Sequence, residues 1–331
     1  MLEPPYSEKP TISAEYLAGF IDGEGHLSLG KIPRRGRSTE FPLRVVVYNS
    51  SLEILKKIER TYGGTLSNSG VRNPRWKPGF ALIWTNAAAS RLLASVAPYL
   101  RIKSRQAAEL LGFHEHITRC RRLRDRGGRL LPLELSELRF REACHRHLKL
   151  LNARGPNPKA ASGDKDRDSS VGANATPSVE YLAGLLDGEG SLMICKWRGY
   201  GAGPQYRPRI SLSNTNKTVL EDVKRAYGGI LTYQPSREKG WKDSFQLVWT
   251  NRRVEGLLLQ LMPHLRLKRN QATVIGDFLR HQKRTPQARG GPNGRFFARH
   301  PSEVIALREA LYQRMKHLNA KGPSWSTLAP T

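Results

Sequence analysis

The apolar positions of this chain follow two rhythms in succession, and the succession occurs twice. A dense apolar segment, Tyr16-Leu17-Ala18-Gly19-Phe20-Ile21, predicts a helix that opens at Ser13, a good N-cap, and stops at Gly23-Glu24-Gly25, where glycine supplies backbone freedom. Leu27 and Leu29 then alternate with their neighbours. Val45 and Val47 do the same against Arg44, Val46 and Tyr48, which is the period of a strand. Helical spacing returns with Leu52, Leu55, Ile58 and Tyr62 and is closed by Gly63-Gly64. Two further strands are predicted around Thr65 to Ser67 and Phe80 to Thr85, followed by helices after Asn86 and from about Lys103. The second half repeats the series. A helix opens at Ser178, strands place Leu192 and Ile194, then Ile210 and Leu212 against Arg209, Ser211 and Ser213, and a helix carries Val219, Leu220, Val223 and Tyr227.

The match is one of residues as well as of rhythm. Tyr16-Leu17-Ala18-Gly19-Phe20-Ile21-Asp22-Gly23-Glu24-Gly25 returns 165 positions later as Tyr181-Leu182-Ala183-Gly184-Leu185-Leu186-Asp187-Gly188-Glu189-Gly190. The same offset pairs Asn49 with Asn214, Trp84-Thr85-Asn86 with Trp249-Thr250-Asn251, Arg101 with Arg266, Lys103 with Lys268 and Gln106 with Gln271. Further on, the register slips by two, where Leu151-Asn152-Ala153 matches Leu318-Asn319-Ala320. A fixed-offset repeat at this scale is a duplicated structural unit. Residues 1–154 read as an N-terminal unit, 155–177 as a linker rich in Pro, Gly, Ser, Asp and Lys, and 178–331 as a C-terminal unit. The expected class is α+β, with two pseudo-symmetric units.

Composition narrows the partners. The 331 residues carry 55 Lys and Arg against 28 Asp and Glu, a net charge of +27 spread through both halves, which calls for a polyanion. A membrane partner is not expected, because no apolar run approaches the roughly 20 residues that span a bilayer. The first ten residues show neither a signal h-region nor an Arg-rich amphipathic pattern, so the chain reads as intracellular. Cys120, Cys144 and Cys195 show neither pairing nor CxxC spacing and read as ordinary free thiols.

Gly19 and Gly23, and their copies Gly184 and Gly188, give each first helix a face almost without side chains. Two such helices packed in parallel would bring Glu24 and Glu189 together at their C-terminal ends. Partial negative charge already resides there, so the two carboxylates call for a divalent cation. Mg²⁺ suits a site of one or two carboxylates, water and phosphate. Asp22 and Asp187 read instead as caps for nearby backbone N–H groups.

The two copies of LAGxxDGEG resemble the signature of the LAGLIDADG homing endonucleases, in the single-chain form with two motifs. The resemblance implies an αββαββα unit in each half, motif helices at the centre and two antiparallel sheets forming a DNA-binding saddle. It implies metal-dependent cutting of one phosphodiester on each strand. Two or three Mg²⁺ ions would be shared between Glu24 and Glu189, the metal position of the motif. It also implies catalytic support from Lys103 and Lys268, which match the family's pocket lysine, and from Asn49 and Asn214, which match its solvent-orienting polar residue. Read from the residues alone, the alternative for these lysines is a phosphate contact or solvated charge, and for these asparagines a helix N-cap.

A polar sheet face suits the major groove. Candidate DNA contacts on the second strands are Arg44, Tyr48, Arg209 and Ser211, with Val46 and Ser213 on the same faces. The hairpins add Arg34, Arg35 and Arg37, then Arg72, Arg75 and Lys77, then Lys196, Arg198 and Arg207, and finally Arg237, Lys239 and Lys242. The halves differ at most of these positions, so an asymmetric duplex target of roughly 20 bp is expected if each half covers about one helical turn. The expected protein is a monomeric, intron-encoded, site-specific DNA endonuclease at DNA in a bacterial cytoplasm or organelle matrix. The alternatives are a maturase acting on intron RNA and a DNA-binding regulator that has lost cleavage.

Overall fold

The computed structural model describes residues 12–35, 38–68, 70, 78–120, 131–153, 176–199, 203–236, 243–285 and 300–320. Apart from Thr176 and Pro177, the expected linker lies outside them. The described residues form two compact units, the second beginning at Thr176.

The first unit runs α1 (Ala14–Glu24), β1 (Gly25–Leu29), β2 (Leu43–Asn49), α2 (Leu52–Tyr62), β3 (Thr65–Asn68), β4 (Phe80–Thr85), α3 (Asn86–Val96), α4 (Ser104–Arg119) and α5 (Leu135–Leu151). The second repeats it as α6 (Val179–Glu189), β5 (Gly190–Gly199), β6 (Gly203–Asn214), α7 (Lys217–Tyr227), β7 (Ile230–Gln234), β8 (Ser244–Thr250), α8 (Arg252–Leu261), α9 (Arg269–Arg284) and α10 (Ser302–Leu318). Each unit therefore contains the αββαββα order, extended by two helices. Both sheets are antiparallel, ordered β1-β2-β4-β3 and β5-β6-β8-β7.

Side-chain alternation decides which face of each sheet is covered. In the first unit Leu27, Leu29, Val45, Val47, Leu82 and Trp84 are all buried; Leu192, Ile194, Ile210, Leu212, Leu247 and Trp249 are their counterparts. Each tryptophan satisfies its indole N–H on the last turn of the neighbouring helix, Trp84 to the Tyr62 carbonyl at 3.0 Å and Trp249 to Tyr227 at 2.9 Å. Both motif helices start on a serine cap, with Ser13 Oγ accepting from Tyr16 N and Ser178 Oγ from Tyr181 N, each at 3.2 Å.

The glycines that end the motif helices act differently from the sequence expectation. Gly25 has φ −81° and Gly190 φ −75°, open to any residue, so conformational freedom is not the reason for them. Space is. A Cβ on Gly25 would lie 2.6 Å from the Ile21 carbonyl oxygen, and one on Gly190 2.7 Å from that of Leu186. Backbone freedom is needed instead after α2 and α7, where Gly63 and Gly64 take φ +68° and +104° and Gly228 and Gly229 +69° and +104°.

One difference between the units follows from strand length. β5 and β6 have 10 and 12 residues against 5 and 7 in β1 and β2. The second unit thus carries a longer paired ribbon, with Cys195 opposite Arg207 and Trp197 opposite Gln205.

Candidate active site and nucleic-acid surface

Each motif helix is locked at its C-terminal end by an exchange of hydrogen bonds with the segment leading into a later helix. Asp22 is 1% exposed, and its carboxylate accepts from the backbone N–H groups of Arg101 (2.8 Å), Ile102 (3.0 Å) and Lys103 (2.9 Å). The Lys103 ammonium returns the contact, donating to the carbonyl oxygens of Ile21 at 2.9 Å and of Asp22. The second unit repeats this. Asp187 accepts from Arg266, Leu267 and Lys268 at 2.7, 3.0 and 2.9 Å, and Lys268 donates to Leu186 and Asp187 oxygens at 2.7 and 2.5 Å. The capping role expected of the aspartates holds, although the amides they bind lie 79 to 81 residues away.

The exchange changes the electrostatics anticipated for this point. The helix end that carries Glu24 already has a cation on its terminal carbonyls, so the lysine offsets part of the negative potential before any metal is considered. Glu24 and Glu189 are the last residues of α1 and α6; Glu24 is half-buried and Glu189 exposed.

The asparagines stand where the second strands leave the sheets, and neither caps a helix. Asn49 Oδ1 accepts from Ser51 N and Asn214 Oδ1 from Asn216 N, each at 2.8 Å, so both close short turns. The N-cap of α7 is Asn216, whose side chain accepts from Val219 N at 3.2 Å. The remaining group of Asn214 turns back: its Nδ2 donates to Glu189 Oε2 at 2.8 Å.

Among the described residues no group of three or more His, Cys, Asp or Glu is arranged to hold a metal ion. With Asp22 and Asp187 committed to backbone amides, the motif leaves one outward carboxylate per unit. An ion held by such a carboxylate must draw its other ligands from water and phosphate. That donor set fits a hard cation such as Mg²⁺ or Ca²⁺ and not a transition metal seeking nitrogen or sulfur.

The proposed reading faces are only partly open. Arg44 is exposed and Tyr48 is 49% exposed, as expected for contact positions. Ser211 is not: it lies in mid-sheet between Ser191 and Val248 and is 4% exposed, too deep for an open contact. Val46, between His26 and Ile83, is buried as well. Arg209 is half-buried and spends a guanidinium N–H on Gln246 Oε1 at 2.6 Å. That glutamine also accepts from Gln234 at 3.1 Å and donates to Ser213 Oγ at 3.1 Å. Gln246 and Gln234 were absent from the sequence reading, although strand alternation on β8 and β7 would have placed them on this face.

The hairpin cations divide in the same way. Arg35 and Arg198 are exposed, and Arg207 is exposed with its guanidinium 4.9 Å from the centre of the Trp197 ring. Arg34 pairs with Glu40 at 3.0 Å. Lys196 pairs with Glu309 of α10 at 2.6 Å, and Lys31 with Glu142 of α5 at 2.5 Å, so these two lysines pin the first hairpin of each unit to its last helix. Lys196, named above as a candidate DNA contact, thus has its ammonium engaged by Glu309 within the second unit. Arg37, Arg72, Arg75, Lys77, Arg237, Lys239 and Lys242 lie outside the described residues.

No family model matches the chain. It is similar to the probable intron-encoded endonuclease aI3 of Dictyostelium citrinum, 32% identical over 77 residues. The match covers 22% of this chain and 30% of the length of that relative. Among solved structures it is similar to the LAGLIDADG homing endonuclease I-GzeII in complex with its DNA target, with a TM-score of 0.66 and 11% identity over 94% of this chain and 100% of that one. A mutant of I-SmaMI gives 0.64 and 15% over 92% and 99%. I-SmaMI bound to uncleaved DNA in the presence of calcium ions gives 0.60 and 15% over 92% and 99%. The chain has the fold of the LAGLIDADG homing endonucleases over nearly its whole length.

Proposed function

We propose that the chain is a site-specific, double-strand DNA endonuclease of the homing type, each unit hydrolysing one phosphodiester with the help of a divalent cation, Mg²⁺ in the cell. The observation that carries this reading is the end of the motif helix: in both units a terminal glutamate and a lysine ammonium docked on the last carbonyls, and in the second an asparagine at the strand end bonded to that glutamate. The DNA complexes of I-GzeII and I-SmaMI, and the calcium in one of them, support it by similarity of fold.

Glu24 and Glu189 would hold the cations. When bound, a divalent ion polarises a phosphoryl oxygen and makes its water a stronger nucleophile. The rest falls to side chains. Asn214, fixed by its turn to Asn216, holds the Glu189 carboxylate in one orientation, as an outer-shell partner does. Asp22 and Asp187 fix the segments that carry Lys103 and Lys268, and those ammonium groups place positive charge where the phosphate acquires negative charge. The charge of +27 concentrates the polyanion at the surface, and the exposed Arg44, Tyr48 and Arg207 would contact it. Two motif copies in one chain fit a protein that acts as a monomer.

The test is cleavage of a randomised duplex library in Mg²⁺, with the cut ends sequenced and Glu24→Gln as control. One asymmetric site cut on both strands by the unmodified protein alone is the expected result. Defined binding without cut ends would instead make the chain a DNA-binding regulator.

A further inference from the structure

The repeat supplies an internal comparison at a place remote in sequence from both motifs. Phe113 and His116 of α4 correspond to Phe278 and His281 of α9, and Arg141 of α5 to Arg308 of α10, the last across the two-residue slip. In the first unit the arginine is neutralised. Glu137, one turn earlier on α5, accepts from Arg141 Nε at 2.6 Å and bonds His116 Nε2 at 2.8 Å. Burial pushes the Glu137 carboxyl up, but the bonds from His116 and Arg141 outweigh it and hold the group below its ordinary value.

In the second unit the residue in the place of Glu137 is Val304. Arg308 is 6% exposed, and its Nε is buried with no hydrogen-bond partner among the described residues. Its guanidinium lies 6.0 Å from the centre of the Phe278 ring. The nearby acids are engaged elsewhere, Glu309 by Lys196, Tyr206 and Gln313, and Asp277 by Arg280. Glu303, exposed in the first turn of α10, forms no ion pair with it. His281 and His300 are both pushed below the ordinary histidine value, by burial first and then by the charge of Arg308. Arginine cannot shed its proton, so the charge stays.

We propose that Arg308 and His281 form an oxyanion-binding site between α9 and α10, in which an external phosphate or carboxylate takes the place that the Glu137 side chain fills in the first unit. A guanidinium edge and an imidazole N–H match a carboxylate or phosphate as charge-assisted donors, as they do for Glu137. The site stands on helix packing within one unit and is independent of the nuclease reading.

The experiment titrates inorganic phosphate, and acetate in parallel, into the full-length protein at constant ionic strength while the His281 ring resonances are followed by NMR, assigned with His281→Gln. The expected result is a saturable shift with a rise in the His281 pKa. Both should be lost in Arg308→Met. In Val304→Glu the anion response should also vanish, because the new carboxylate occupies the site, and the His281 pKa should already be raised without anion. Saturation by both anions assigns a general oxyanion site; saturation by phosphate alone narrows the occupant to phosphate. Absence of a saturable shift in the unmodified protein, or an unchanged response in Arg308→Met, would overturn the proposal. Should Val304→Glu fail to fold, the Arg308→Met comparison decides alone.

Discussion

The side-chain amide of Asn214 donates to the carboxylate of Glu189 at 2.8 Å while its oxygen is anchored on the backbone of Asn216. The asparagine thereby orients a proposed metal ligand without being one. Outer-shell partners of this kind are worth about 10- to 100-fold in metal affinity or activity. Asn214→Ala should slow the strand cut that depends on Glu189 by about that factor. Nicked duplex should accumulate, and duplex binding measured in Ca²⁺ should stay as it was. Equal slowing of both strands would show that Asn214 does not act through Glu189.

The aspartates of the motif are predicted to matter for stability. Asp22 satisfies three part-buried backbone N–H groups, and each donor left unsatisfied away from water costs about 1–3 kcal/mol. Asp22→Ala should therefore lower the unfolding free energy by about 3 kcal/mol or more in urea melts. Asp187→Ala should match it, since the second unit repeats the three bonds. A loss under about 1 kcal/mol would mean that water replaces the carboxylate.

Lys103 joins stability to chemistry. Removing a cation from a partly buried helix C-terminus costs up to about 2 kcal/mol. Lys103→Met should show that loss together with impaired cutting of one strand, whereas Lys103→Arg should restore much of the stability and less of the cutting. If the methionine variant cuts both strands at the original rate, the ammonium is a helix cap and nothing more.

Acid should loosen the second unit's ribbon from α10. Lys196, Tyr206 and Gln313 hold the Glu309 carboxyl at about 2, below its ordinary 4.5. A depressed folded-state value means that the unfolded chain binds the proton more readily. The contribution of Glu309 to stability is thus complete above the ordinary carboxylate value and is lost as pH falls toward about 2. Glu309→Gln should flatten that part of the stability profile. Salt should weaken the effect in the unmodified protein, because the pair is solvent-accessible.

Local pattern carried much of this fold. The alternation of Leu27 with Leu29 and of Val45 with Val47 assigned the buried face correctly, and the strand predicted from Phe80 to Thr85 has those bounds. What the pattern could not carry was pairing at long range. The acid that occupies Lys196 lies 113 residues away, so a count of hairpin cations could not tell which of them are paired within the protein. Alternation also tells which face a residue takes and not how thickly that face is covered. Ser211 points away from the core as expected, yet its cross-strand neighbours bury it. At the candidate site, the repeat singled out Glu24, Lys103 and Asn49 by pairing each with its copy. The docking of Lys103 onto α1 was not, since it depends on how the segment before α4 meets Asp22.

Adjacent glycines should separate conformational cost from steric cost. Gly63 and Gly64 both take positive φ, and Gly63 combines it with ψ −153°, a region essentially reserved for glycine, where a Cβ costs on the order of 1–3 kcal/mol. Among the described residues nothing lies within 4 Å of a Cβ on Gly63, so Gly63→Ala should lose only about that conformational amount. On Gly64 the same Cβ would meet Leu82 Cδ1 at 2.9 Å and the Trp84 ring at 2.9 Å, both in a packed interior. Overpacking adds about 1–3 kcal/mol, so Gly64→Ala should cost more than Gly63→Ala by that margin. Trp84 offers the direct readout. Its indole donates to the Tyr62 carbonyl at 3.0 Å, and a ring displaced by the new methyl would lengthen that bond. Gly64→Ala should therefore speed exchange of the Trp84 indole proton while Gly63→Ala leaves it protected. Equal destabilisation with equal indole protection would mean that φ alone requires glycine at both positions.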